Sequence, residues 1–173
     1  MIFVLPIAAV SVVMIVIYTG SFIPPHFHIK YSENYSVSSE IIWNTLINMD
    51  RMAERSRFAK RVERIGKNHL GFPIWREYSG FGVWSEFEII GKIPSKKLTI
   101  NLLDSSYGIK GKWSYELDEK DGKTTVTITE NSEIHQFTVR LPLILTGRDF
   151  HTRKRFRILE KSLSHPDSIL TSH

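Results

Sequence analysis

The side chain best placed for acid–base chemistry in this sequence is Glu130. It lies in a run over residues 124–131 where Val126 and Ile128 alternate with threonines, so strict alternation puts Glu130 on the same apolar face. Burial in an apolar cavity favours the protonated carboxyl, which could serve as an acid or a base, or bind a polar group of a ligand. The alternatives are that a bulge near Asn131 turns Glu130 outwards, or that an arginine or lysine pairs with it.

Two further pairs of side chains have a spacing that could support chemistry. Glu133 and His135 lie two residues apart and could form an acid–base pair, although the wet end of a strand favours a solvated rim. His26 and His28 could supply two metal ligands, but no spacing elsewhere supplies the others, and the chain has no cysteine. The sequence therefore predicts no metal and no cofactor, and its candidate catalytic residues are Glu130 and His135.

These side chains must be positioned by elements that are mostly strands. Alternation over residues 26–37 predicts a first strand, and Ser38 is a candidate N-cap for a helix that carries Ile42 and Leu46. A second short helix should then run into a strand near residues 60–65. Short β-branched or aromatic runs between turn residues predict further strands at 72–78, 82–90, 97–103, 111–117 and 124–131. Asp121 and Gly122 predict the hairpin turn before the last strand.

The chain ends in one long helical pattern over residues 141–163, in which Leu145, Phe156 and Leu159 recur at helical spacing. Gly147 is a weak point within that pattern. An antiparallel sheet with one apolar face must cover that face, and this helix is the only predicted element that is long enough. A curved sheet wrapped on a long helix leaves a space between them.

The first 27 residues carry no charged side chain, and residues 2–18 are almost wholly apolar. A helix over that run would cover about 26 Å, close to the thickness of a hydrocarbon core. We therefore predict a transmembrane anchor over residues 1–23 and a single-pass membrane location, with a cleaved signal peptide or a buried helix as alternatives. The side of the membrane is undetermined, because Lys30 is the only nearby basic residue.

Composition limits the possible partners. The chain has 173 residues and a formal net charge of +5, which suits one domain and an anionic membrane surface or a weakly acidic partner better than nucleic acid. A basic cluster on the polar side of the last helix is predicted to face lipid headgroups, with a solvated helix face as the alternative. Its members are Arg148, Arg153, Lys154, Arg155 and Arg157. Nothing indicates the oligomeric state.

The soluble part resembles the START-like, or SRPBCC, superfamily, and within it the polyketide cyclase/dehydrase-like branch. The resemblance rests on SSEIIWNTLINMDRMAERSRFAKRVERI at residues 38–65, on WSYELDEKDGKTTVTITENSEI at 113–134, and on the terminal helix through Leu163. The chain departs from the family pattern in having Ser38-Ser39 where Ala-Pro often opens the first helix, and Arg57-Phe58 where Trp-Asn often follows. The resemblance implies an α+β helix-grip fold, a curved antiparallel sheet around a long C-terminal helix, preceded here by the predicted transmembrane helix.

The resemblance also implies a cavity that takes an apolar ligand between the sheet and the terminal helix. The resemblance and the alternation of the strands predict a START-like domain over residues 24–165 and a flexible tail over 166–173. Together with the predicted anchor, they predict a membrane-anchored protein that binds a hydrophobic, lipid-like small molecule. The alternatives are a cyclase or dehydratase that uses a cavity carboxylate, and a partner-binding module without a ligand. The predicted cavity residues are Phe87, Ile89, Trp113, Tyr115, Val126, Ile128, Glu130, Leu145 and Phe156.

Overall fold

Seven antiparallel strands form one sheet in a computed structural model that describes residues 14, 18, 22–48, 59–136, 138–140, 147 and 149–164. The strands pair in the order β1-β7-β6-β5-β4-β3-β2. The elements along the chain are β1 (His26–Tyr35), α1 (Ser39–Ile47), β2 (Arg61–Lys67), β3 (Pro73–Tyr78), β4 (Trp84–Ile93), β5 (Lys97–Ser105), β6 (Ile109–Lys120), β7 (Lys123–Ile134) and α2 (Phe150–Leu163). This arrangement confirms the predicted α+β class with a curved antiparallel sheet and a C-terminal helix.

The inner face of the sheet is set by the alternation of side chains along the long central strands. In β7 every second residue from Thr124 to Ile134 is buried, and β5 and β6 follow the same pattern over most of their length. Phe156 and Leu159 of α2 are fully buried against this face. Removing each such side chain from water contributes roughly 1.5–3 kcal/mol, so the helix is held largely by this apolar stripe.

Two local predictions of the sequence are confirmed. The Ser38 hydroxyl accepts a hydrogen bond from the backbone N–H of Ile41 at 3.4 Å, so Ser38 caps α1 as expected. Asp121 and Gly122 both have positive φ, 52° and 72°, in the two-residue turn that joins β6 and β7. That pair of conformations fits the right-handed twist of a hairpin, which is why Asp-Gly fixes the register there.

The terminal helix is shorter than the sequence predicts. Gly147 has a φ of +87°, a left-handed conformation that cannot lie within a right-handed helix, and α2 begins only at Phe150. The helical pattern predicted over residues 141–163 is therefore interrupted at Gly147, the weak point of that pattern, and the described helix covers only its second part. Residues 141–146, which include the predicted cavity residue Leu145, lie outside the described part of the chain, as do most of the predicted second helix and the predicted tail.

The predicted membrane location is also wrong. Among the residues that the structure describes, no helix has both the length and the apolar character needed to cross a bilayer. Of the predicted anchor over residues 1–23, only Met14, Tyr18, Phe22 and Ile23 are described, and the rest lies outside the described residues.

One turn holds a residue in an unusual conformation. Between β3 and β4, Gly80–Gly82 form a short 3-10 turn in which Phe81 has φ 62° and ψ 27°. Few residues with a Cβ adopt this left-handed region, and it is rarest for bulky ones. The Phe81 ring is also fully exposed to solvent.

Candidate functional site

A cavity of about 290 Å³ lies between α2 and the inner face of the sheet. Its apolar lining comes from every strand between β3 and β7 and from α2. These residues are Trp75, Phe87, Ile100, Leu102, Ile109, Trp113, Ile134 and Ile158, together with Ala59. The cavity is of the size at which small-molecule pockets begin.

Three aromatic rings form one continuous side of the cavity, here called the aromatic wall. Trp75 and Phe87 are cross-strand partners in β3 and β4, and their rings stack with centroids 5.5 Å apart at an interplanar angle of 20°. Phe87 continues to Trp113 with centroids 6.2 Å apart and a tilt of 56°. All three side chains are buried. Such a row offers the face-to-face and edge contacts that flat molecules prefer.

The same cavity is polar where the helix faces the sheet. Its polar lining includes two carboxylates, two cations and a histidine. These residues are Glu77, Ser79, Ser85, Glu130, Ser132, His151, Lys154 and Arg155. The cavity therefore has an aromatic side and a charged side.

Glu130 is only 3% exposed and points inwards, because β7 pairs with both neighbours without a register shift at this position. Its Oε1 accepts a hydrogen bond from Ser132 Oγ at 2.5 Å, and its Oε2 accepts one from Thr152 Oγ1 at 2.7 Å. The alternative of a bulge that turns Glu130 outwards is therefore wrong. Within the described part of the chain, its hydrogen-bond partners are hydroxyl groups rather than an arginine or a lysine.

Arg155 is fixed against the aromatic wall. Its guanidinium carbon lies 4.2 Å from the centroid of the Trp113 ring, and its Nη1 donates a hydrogen bond to the Tyr115 hydroxyl at 3.1 Å. Burial alone would lower the pKa of Arg155, but Tyr115, Glu130 and Glu77 all favour the charged form and raise it overall. The stacked, hydrogen-bonded guanidinium is thus a permanent positive charge in the cavity.

The other two basic groups on the helix side, His151 and Lys154, both have lowered pKa values. Burial lowers the pKa of His151; the charge of Glu130 opposes this, while the charges of Arg155 and Lys154 lower it further. Burial, together with Arg155, also lowers the pKa of Lys154 to about 8, against a smaller opposite influence of Glu77. Shifts of this kind at several groups in one cavity are typical of functional sites.

The structure places the predicted cavity residues in two groups. Phe87, Trp113 and Glu130 line the cavity. The others that are described belong to the packed core and do not appear in the lining: Ile89, Tyr115, Val126, Ile128 and Phe156. Their assignment to ligand binding stays a prediction.

The second candidate catalytic residue lies elsewhere. His135 is exposed and contacts Glu133 through its Nε2 at 2.9 Å, outside the cavity lining. Glu133 is also 3.8 Å from His26 Nε2, across the β1–β7 pair. His28 instead contacts the Asn131 side chain at 2.7 Å. The structure brings these histidines to one edge of the outer face of the sheet and not to Glu130.

The predicted basic cluster is divided by the structure. Lys154 and Arg155 face the cavity, so placing them on a polar outer side of the helix was wrong. Arg157 is exposed, and Arg153 is exposed and pairs with Asp149 at 3.0 Å. Arg148 lies outside the described residues. The predicted contact of this cluster with lipid headgroups stays a prediction.

Sequence reasoning missed four helix residues that line the cavity: His151, Lys154, Arg155 and Ile158. Their spacing of three, four and seven is itself a helical stripe, and it flanks the apolar stripe of Thr152, Phe156 and Leu159. Charged residues beside an apolar stripe usually lie in solvent, so the pattern alone gave no reason to turn them inwards.

No model of a known protein family matches the chain, and no curated protein matches it. Several solved structures share its fold. The Zhui aromatase/cyclase from Streptomyces sp. R1128 is 10% identical, with a TM-score of 0.65 over 79% of this chain and 93% of that one. Norcoclaurine synthase from Thalictrum flavum is 13% identical, with a TM-score of 0.59 over 81% and 88%. A conserved protein from Geobacillus kaustophilus is 13% identical, with a TM-score of 0.64 over 81% and 97%. At such identities the likeness establishes a helix-grip-like fold and nothing finer.

Proposed function

We propose that this protein binds a flat, largely apolar small molecule in the cavity beneath α2, with the molecule stacked along the aromatic wall. The observation that carries the proposal is the row of Trp75, Phe87 and Trp113, whose rings border an empty space of about 290 Å³ instead of packing against each other alone. The volume favours a compact ring system over a long acyl chain. A partner-binding module without a ligand would have no need of such a space.

The proposal can be tested with phenylnaphthylamine, a neutral aromatic dye whose fluorescence rises when it leaves water. We expect the dye to bind the purified protein at one site, and Ser85→Leu to weaken binding about ten-fold by filling the cavity. Ser85 lines the cavity and is only half-buried, so the larger side chain should be tolerated. Ser114→Leu is the matched control, because Ser114 lies on the outer face of β6. Absence of binding, or equal binding by both variants, would overturn the proposal.

A second candidate function is an enzyme that moves a proton on a bound carbonyl compound. It is favoured by the buried Glu130 carboxylate and by His151, whose lowered pKa keeps the imidazole neutral and able to accept a proton at neutral pH. Two proteins of similar fold are named as an aromatase/cyclase and a norcoclaurine synthase, so catalysis is compatible with this architecture.

Proton transfer can be tested separately from binding with beta-tetralone, a compact bicyclic ketone. The base would take a proton from the carbon beside the carbonyl, leaving an enolate, and exchange with heavy water would return a deuteron to that carbon. We expect the protein to accelerate this exchange, measured by proton NMR, and His151→Gln or Glu130→Gln to remove the acceleration. His69→Gln is the control at an exposed histidine. Exchange at the buffer rate in the wild-type protein would rule out this candidate.

A further inference from the structure

The polar groups that line the cavity differ in the hydrogen bonds that they already make within the protein. Both oxygens of Glu130 already accept hydrogen bonds, from Ser132 and Thr152. Glu77 likewise accepts a hydrogen bond from Trp75 Nε1 at 3.1 Å. Glu130 is thus engaged through both of its oxygens and Glu77 through one, while the guanidinium of Arg155 lines the same cavity.

Arg155 has donors to spare. A guanidinium carries five N–H groups in a fixed plane, and within the described residues Arg155 donates one hydrogen bond, to Tyr115. Arg155 lines the cavity, so its guanidinium borders the space that a ligand would occupy. Because the plane is held 4.2 Å from the Trp113 ring, its N–H groups are oriented before any ligand arrives.

Lys154 supplies a second positive group to the same cavity, one residue away on α2. The side chain is half-buried, and both burial and the charge of Arg155 disfavour its ammonium form, which lowers its pKa to about 8. An anion bound between the two cations would relieve this penalty. The net charge of the cavity does not decide the matter, since Glu77 and Glu130 balance Lys154 and Arg155. The choice rests on Arg155, whose guanidinium has five N–H groups and donates one hydrogen bond within the described residues, compared with Glu130, whose two oxygens each accept one.

We infer that the ligand carries an acidic oxygen group, such as a carboxylate, sulfonate or phenolate, which Arg155 and Lys154 bind while its flat body lies along the aromatic wall. This inference rests on the proposed function, because it names the chemical class of the molecule that the cavity takes. Charge-assisted hydrogen bonds from a planar guanidinium are well suited to such a group.

The test compares phenylnaphthylamine with anilinonaphthalene sulfonate, which has the same ring body and adds a sulfonate that stays ionised at all working pH values. We expect the wild-type protein to bind the sulfonate about ten-fold more tightly than the neutral dye. Ser85→Leu should weaken both dyes, which would place both in the cavity. If neither dye binds, the proposed function fails; if both bind equally tightly in the cavity, only this inference fails.

Two variants of α2 test whether Arg155 gives this preference. Arg155→Gln should reduce the affinity for the sulfonate dye about ten-fold and change that for the neutral dye less than about two-fold. Arg157→Gln removes the same charge from the exposed side of α2 and should leave both affinities unchanged. A loss of equal size for both dyes in Arg155→Gln would contradict the inference.

Lys154→Met gives a readout that does not depend on the stability of the Arg155 variant. Between about pH 7 and about pH 9.5 the wild-type protein should lose affinity for the sulfonate dye, because Lys154 gives up its charge in this range. The groups that act on Lys154 are Arg155 and Glu77, and the variant leaves both in place. The pH dependence should therefore disappear in Lys154→Met. If it persists unchanged, Lys154 does not bind the acidic group.

Discussion

Lys154→Met should change how the stability of this protein depends on pH. Burial, aided by the charge of Arg155, lowers the pKa of Lys154 from 10.5 to about 8 in the folded state. The unfolded chain keeps the ordinary value, so between these two values the unfolded state binds more protons than the folded state. By linkage, the free energy of unfolding of the wild-type protein therefore rises with pH in that window.

The size of this effect follows from the two pKa values. If the whole pKa shift contributed, the loss of the Lys154 proton would add about 2 kcal/mol to the free energy of unfolding between about pH 7 and about pH 9.5. Because the side chain is only half-buried, screening by water reduces this to about 1 kcal/mol. Lys154→Met lacks the ionisable group, so it should be about 1 kcal/mol more stable than wild type near pH 7 and lose much of that advantage near pH 9.5.

The measurement is urea unfolding followed by tryptophan fluorescence at the two pH values. The difference between wild type and variant is compared, so that the ionisation of tyrosines at high pH cancels. Lys112→Met is the control, because Lys112 is exposed and lies outside the cavity. It shows how the loss of a lysine outside the cavity affects the same comparison. The reasoning is refuted if Lys154→Met and wild type show the same change in stability between the two pH values.

Three other outcomes follow from the same cavity. Thr152→Val should lower the free energy of unfolding by about 1–3 kcal/mol in urea titrations, because it removes a hydroxyl donor from the buried Glu130 carboxylate; no loss would show that the hydrogen bond contributes nothing. Because the pKa of His151 is lowered in the folded state, the unfolded chain binds more protons below about pH 6.5 and the protein loses stability as the pH falls. His151→Gln should make the melting temperature depend less on pH in this range, and an unchanged dependence would refute this. Gly111→Ala would place a Cβ 3.1 Å from Ser132 Oγ and from the backbone oxygen of Asn131, and 3.3 Å from the Trp113 side chain. Because Ser132 and Trp113 line the cavity, it should weaken phenylnaphthylamine binding, and unchanged affinity would show that Gly111 does not shape the cavity.

The strands were predictable because their signal is local. The alternation around Val126 and Ile128, with the Asp121–Gly122 turn before it, fixes both the register of β7 and the side on which Glu130 lies. The inward direction of that carboxylate thus came from parity alone. One of its two hydroxyl donors could not be foreseen, since Thr152 reaches it from a helix that follows in the chain.

The charged side of the cavity was not predicted from the sequence, and the reason is physical. Helical periodicity shows which residues share a face, but not whether that face meets packed side chains, solvent or a gap. Lys154 and Arg155 flank the buried Phe156, and only the space between α2 and the sheet makes that position interior. The late start of the helix was not predicted either, because Gly147 can adopt a right-handed or a left-handed conformation and the sequence does not choose between them.

The turn between β3 and β4 gives a way to separate selection for folding from selection for function. Phe81 occupies a left-handed conformation at a cost of order 1 kcal/mol or more, and its ring, fully exposed, recovers little of that by burial. In a library randomised at this position, sorting for resistance to proteolysis alone should enrich glycine and asparagine. If aromatic residues persist only when the library is also sorted for ligand binding, the Phe81 ring serves function and not stability.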